Sequence, residues 1–197
     1  GGGGGAGGGA RGGALGVGRT VGQGGLGVDV LLREGSGVGE GARVGLVTHP
    51  AGVDGELVPT LDRLNSDERV NLVQLYGPEH GVRGEVAAGE AVADAVDART
   101  GIPVESLYGG RRRPSPESLA RIDVLLFELQ DVGARMYTYI STLGEVMRAS
   151  GEAGVRGVVL DRPNPPGGGR FEGPGGTEGG GSAEHTSEPQ SRPQRVW

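Results

Sequence analysis

Cysteine is absent from this chain of 197 residues. That excludes a disulfide framework, a thiolate metal site and a cysteine nucleophile. Long apolar runs are also missing, so no segment reads as a bilayer span and no membrane partner is expected. The N-terminus shows no charged region followed by an apolar one, so no signal peptide is legible. Cytoplasm and export both stay open. Positive charge is scarce: the net charge is −6 and the pI about 5.1, which argues against nonspecific nucleic-acid binding. Arg111-Arg112-Arg113 is the only basic cluster, and it reads as a solvated loop rather than a phosphate site. Several catalytic signatures are missing too. There is no G-x-S-x-G elbow, no P-loop, and no G-x-G-x-x-G opening a helix after the first strand. No cofactor is therefore expected. No H-x-H or H-E-x-x-H pattern joins His49 and His80, so metal is the less favoured reading.

Glycine is abundant instead, with 44 residues crowded towards the two ends. Residues 1–27 lack the three-residue period of collagen and carry too little apolar area to offset the entropy of ordering glycine. They are expected to be disordered, as is the Gly, Ser, Glu and Pro tail over 175–197. Residues 28–174 have a normal globular composition and suit one domain.

Inside that domain, apolar runs alternate with helical patterns. Val28, Leu31 and Leu32 sit at helical spacing. A strand follows over 42–48, then an amphipathic helix over 56–66 with Leu57, Leu61 and Leu64 on its apolar stripe and Pro59 early in it. A second strand covers 70–75. Residues 84–101 read as a long loop or an alanine-rich helix, and 102–108 as a short edge strand. Ser115-Pro116-Glu117 starts a short helix with a capping hydroxyl, a proline at the first turn and an acid at the positive dipole end. The strongest strand covers 122–129. A helix from Tyr139 to Ala153 should bury Ile140, Leu143, Val146 and Met147. A last strand covers 155–160. This alternation predicts an α/β fold: a mostly parallel sheet flanked by helices.

Parallel strands share one C-terminal edge, and ligands of open sheets bind beyond it. Here each main strand ends in a polar turn: Thr48-His49-Pro50-Ala51-Gly52, Gly77-Pro78-Glu79-His80-Gly81, Gln130-Asp131-Val132-Gly133-Ala134-Arg135 and Asp161-Arg162-Pro163-Asn164-Pro165. The opposite ends carry nothing comparable. Facing carboxylates suit glycoside hydrolysis, which needs one protonated acid and one anion. Glu79 is the candidate acid, since a strand-end loop beside apolar residues can raise a carboxyl pKa. Asp131 is the candidate charged partner, or it simply pairs with Arg135. Glu128 lies inside its strand, so its direction decides whether it faces the crevice or a helix. His80 can orient Glu79, bind a sugar hydroxyl or assist proton transfer. Tyr137 and Tyr139 are a sugar platform or helix-start packing.

These motifs, together with Val44–Thr48, Tyr76–Gly84, Thr100–Val104, Ser106–Gly109 and Tyr137–Thr142, resemble the NamZ-type exo-β-N-acetylmuramidases from about Val28 to Pro174. The resemblance implies a Rossmann-like N-terminal domain. It also implies a glycoside hydrolase that releases terminal N-acetylmuramic acid from the non-reducing end of peptidoglycan fragments. A muramoyl saccharide would be the partner, and the oligomeric state is not legible. Glu79 carries over as the catalytic carboxylate, with His80 beside it; Asp131 stays the candidate charged partner on the residues alone. Arg83 or Arg135 would receive the lactyl carboxylate through a guanidinium fork; Tyr137 and Asn164 would complete the substrate contacts. The sequence departs from the family at Pro50-Ala51, where a Gln-Thr pair is common. After Phe171–Pro174 the likeness dissolves, so the family's smaller C-terminal domain is expected to be missing. A sugar-binding module without catalysis is the alternative.

Overall fold

The computed structural model describes residues 25–35, 38–85, 87, 93–134, 137–165 and, for the backbone, 194–196. The expectations for 1–24 and for most of the C-terminal tail lie outside these residues.

Helix α1 (Gly27–Glu34) leads into strand β1 (Arg43–Thr48). Helix α2 (Thr60–Ser66) and strand β2 (Asn71–Gly77) follow. Next come β3 (Ala95–Val96), β4 (Pro103–Ser106), α3 (Pro116–Leu119) and β5 (Val124–Glu128). Helix α4 (Tyr139–Ala153), β6 (Arg156–Leu160) and β7 (Gln194–Val196) complete the order. The sheet runs β3-β4-β2-β1-β5-β6-β7. Strands β4, β2, β1, β5 and β6 are parallel to their neighbours in that series, and only β3 and β7 are antiparallel.

The alternation of side chains along each strand separates two cores. Val44, Leu46, Val124 and Leu126 point to the face covered by Val28 and Leu31 of α1 and Leu61 and Leu64 of α2. Val47, Leu125 and Phe127 point to the other face, against Leu119 of α3 and Val146 and Ala149 of α4. Helices on both faces are what a parallel sheet with near-continuous apolar strands requires.

Four expectations need correction. Helix α2 starts after Pro59, not at 56. The Asp54 carboxylate accepts the Glu56 and Val58 amides at 2.9 Å each, and this turn uses up the residues that precede the helix. Leu57 therefore leaves the apolar stripe: it has φ 63° and is 78% exposed. Strand β4 is not the edge, because β3 pairs outside it; Pro103 is tolerated as the first residue of its strand. On α4 the buried positions are Tyr139, Val146, Ala149 and Ser150, while Met147 is exposed. Finally, Gly27 begins α1 and residues 194–196 form β7, although composition assigns both to disordered ends. The open edge of β6 offers unpaired N–H and C=O groups that an extended backbone satisfies whatever its composition.

Candidate functional site

Strand β1 lies between β2 and β5, so the chain winds outward from it in both directions. The crevice of an open α/β sheet forms at this switch, outside the C-terminal ends of the two central strands. Thr48 and Glu128 are register partners at those ends. The residues that follow them, His49 on one side and Gln130 and Asp131 on the other, flank the crevice.

His49 is buried and its ring meets that of Tyr139 at 5.0 Å. Both ring nitrogens face backbone donors. The Gln130 amide donates to Nε2 at 3.1 Å, and the Ala51 amide approaches Nδ1 at 3.4 Å. A neutral imidazole accepts at one nitrogen only, and the shorter Gln130 contact makes Nε2 that acceptor; an imidazolium would carry N–H groups at both positions and conflict with both donors. Burial, with the nearby charges of Arg162 and His80, pushes the His49 pKa down to about 4. The ring is thus a neutral acceptor that ties the end of β1 to the end of β5.

Glu79 and His80 occupy the turn after β2, both half-buried. His80 has φ 75° and Gly81 φ 77°. Two successive left-handed residues reverse the chain sharply; glycine adopts that conformation freely, whereas His80 does so against the preference of its side chain. The Tyr108 hydroxyl, just past β4, donates to the Glu79 carboxylate, whose charge raises the tyrosine pKa. Glu79 also lies near Tyr139, whose own pKa burial pushes up to about 12. The structure therefore gathers Glu79, His80, His49, Tyr108 and Tyr139. Tyr137 joins them through an edge-on contact with Tyr139 at 4.9 Å. In the sequence Tyr108 stands only as part of a motif; its link to Glu79 needs β4 to pair with β2, which no local signal shows.

The other expected site residues are distributed differently. Asp131 accepts the Gly133 amide at 2.6 Å in the loop after β5. Asn164 is exposed in the loop after β6. Arg135 lies outside the described residues. The Arg83 guanidinium is occupied by two carboxylates. It donates to Asp97 through Nε and Nη2, and to Asp62 through Nη2 at 2.8 Å. Those bonds hold Asp97 well below the ordinary carboxylate range. The fork expected to receive a substrate carboxylate instead clamps the turn after β2 to α2 and to the segment after β3. A cavity of about 260 Å³ lies beside it, lined in part by Thr48, His49, Pro50, Val82 and Arg83.

Glu128 shares the parity of Val124 and Leu126, so it faces α1 and α2 rather than Glu79. Its Oε1 accepts Thr60 Oγ1 and Arg162 Nη1, each at 2.9 Å. Its Oε2 is buried with no hydrogen-bond partner. Burial pushes its pKa up to about 7 even with Arg162 beside it. Gly52 packs directly over this carboxylate, where a Cβ would come 2.4 Å from Thr48 Oγ1 and 2.9 Å from Glu128 Oε2. Among the described residues no group of three or more His, Cys, Asp or Glu could hold a metal ion. Among them, too, no helix is long and apolar enough to cross a membrane.

The family model described as "Exo-beta-N-acetylmuramidase NamZ, N-terminal" matches residues 44–182. This chain belongs to that family. Over 148 residues it is 48% identical to the peptidoglycan beta-N-acetylmuramidase NamZ of Bacillus subtilis (strain 168), a span of 75% of this chain and 36% of that protein. A DUF1343 family protein of Bacteroides fragilis NCTC 9343 has the same fold, with a TM-score of 0.69 and 51% identity over 76% of this chain and 37% of its own. A second such protein from the same organism matches with a TM-score of 0.60 and 30% identity, over 73% of this chain and 36% of its own. The chain thus spans a little over a third of each relative. The matched segment of the NamZ family contains all four polar strand ends and, apart from Arg43 at the start of β1, the parallel strands.

Proposed function

We propose that this chain carries the Rossmann-like half of a peptidoglycan β-N-acetylmuramidase site, acting on the terminal N-acetylmuramic acid of muramoyl saccharides. The observation that supports it best is the cluster of Glu79, His80, Tyr108, His49 and Tyr139 at the C-terminal sheet edge. It occurs in a chain 48% identical over 148 residues to a protein of that name. In this reading Glu79 protonates the glycosidic oxygen as its bond to the anomeric carbon breaks. Asp131, in the loop after β5, is the anion that stabilises the oxocarbenium-like centre or activates water. The Tyr108 hydroxyl holds the Glu79 carboxyl in place. His80 takes a sugar hydroxyl, and the Tyr137 ring packs on the sugar face. Asn164 contributes a polar contact from the loop after β6. With Arg83 committed to Asp97 and Asp62, the lactyl carboxylate falls to Arg135.

Incubation of the purified chain with a chromogenic β-N-acetylmuramide tests this. Release of the chromophore should fall about 100-fold or more in Glu79→Gln, the loss expected for a general acid. Unchanged turnover in that variant would remove Glu79 from the mechanism. Saturable binding of the sugar without release would identify a binding module instead.

A further inference from the structure

We infer that Arg162 and Gln130 form a positioning unit that sets His49 and the Asp131 loop for chemistry at Glu79. The inference takes its reaction from the proposal above, but its structural basis is independent of it. Arg162 follows β6 and is only 11% exposed at its side chain. Its Nη1 donates to the Val53 carbonyl at 2.7 Å and to Glu128 Oε1 at 2.9 Å. Its Nε donates to Gln130 Oε1 at 2.9 Å. One guanidinium thus joins the loops after β1, β5 and β6. Gln130 extends the connection. Its side-chain amide donates to the Asp131 carbonyl at 2.6 Å and the Pro163 carbonyl at 3.1 Å. Its backbone amide donates to His49 Nε2. His49 then meets Tyr139 and lies near His80.

A buried ion pair kept only for stability is a weak device, because desolvation offsets most of its attraction. This arrangement does something that an apolar pair could not. It orients a backbone carbonyl, a side-chain amide and a carboxylate at once, through donors held in one plane. Lysine keeps the charge but cannot reproduce those directions. Gln130 is the more selective member, since it touches Arg162, Asp131 and Pro163 but not the buried carboxylate. A displacement of about 1 Å in a reacting group can cost roughly 100-fold in rate. Loosening this unit should therefore act on kcat rather than on substrate affinity.

The test compares the full chain with Arg162→Lys and Gln130→Met in two measurements. In hydrogen exchange, the Gln130 and Gly133 amides should lose protection by about tenfold or more in both variants, while the Leu46 and Leu125 amides of the central strands keep theirs. With the chromogenic muramide, kcat should fall roughly 100-fold with KM nearly unchanged. Retained loop protection in Gln130→Met overturns the inference. So does loss of protection across the whole sheet, which would make the pair a fold determinant only. Absence of turnover in the parent chain bears on its catalytic competence alone, and the exchange measurement then decides the positioning role. Should Arg162→Lys not fold, Gln130→Met alone decides, because it leaves the Glu128 ion pair in place.

Discussion

Glu128 and His49 sit a few residues from the proposed chemistry and shift in opposite senses. Burial raises Glu128 from 4.5 to about 7 and lowers His49 from 6.5 to about 4. For Glu128 the folded state holds its proton more tightly, so stability present below pH 4.5 is lost as pH rises through about 7. For His49 the unfolded state binds the proton more tightly, so stability is lost as pH falls from 6.5 through about 4. Each shift corresponds to roughly 3 kcal/mol. Across the shared window the two slopes oppose and nearly cancel. Glu128→Gln should remove one of them, leaving a stability that climbs with pH by roughly 3 kcal/mol between about pH 4 and 6.5. Urea denaturation at several pH values checks this; parallel curves for parent and variant would show that Glu128 does not titrate abnormally. At this scale the sequence singles out Glu79, His80, Asp131 and Tyr137 as candidates, because each stands in or just after a polar turn. The contacts of Arg162 and Gln130 were not legible, since their partners lie as far as 109 and 81 residues away.

Among the elements, α3 was legible almost to the residue. Ser115 accepts the Ser118 amide at 3.2 Å and precedes Pro116, as the capping pattern predicts. What the pattern does not reveal is that Ser115 also donates to the buried Glu105 at 2.8 Å. Ser115→Ala should therefore cost about 1–2 kcal/mol, at the upper end for a cap, as measured by thermal or chemical denaturation. Helix α2 was less legible, because its apolar period extends back through Leu57 into a turn held by Asp54. Leu57 is exposed at φ 63°, a conformation that suits glycine better. Leu57→Gly is expected to be neutral or to stabilise by up to about 1 kcal/mol, and a clear loss of stability would show that the leucine side chain makes a contact of value.

For the whole molecule, the central strands carry both cores. Leu126 is fully buried on β5 among residues of α1, α2 and the neighbouring strands. Leu126→Ala should cost about 2–5 kcal/mol, since the rigid sheet cannot collapse around the cavity. A smaller loss in the denaturation midpoint would mean that α2 moves in to fill it. Runs of apolar residues ended by turns are enough to announce parallel strands, flanking helices and one polar edge, because side-chain periodicity and turn chemistry are local properties of the chain. They also placed Glu79 and Asp131 at that edge. Strand order is not local. It is decided by which strands exchange backbone hydrogen bonds and which apolar faces pack together. Only that pairing put β1 at the switch, brought Tyr108 to Glu79, turned Glu128 towards α2, and committed Arg83 to two carboxylates.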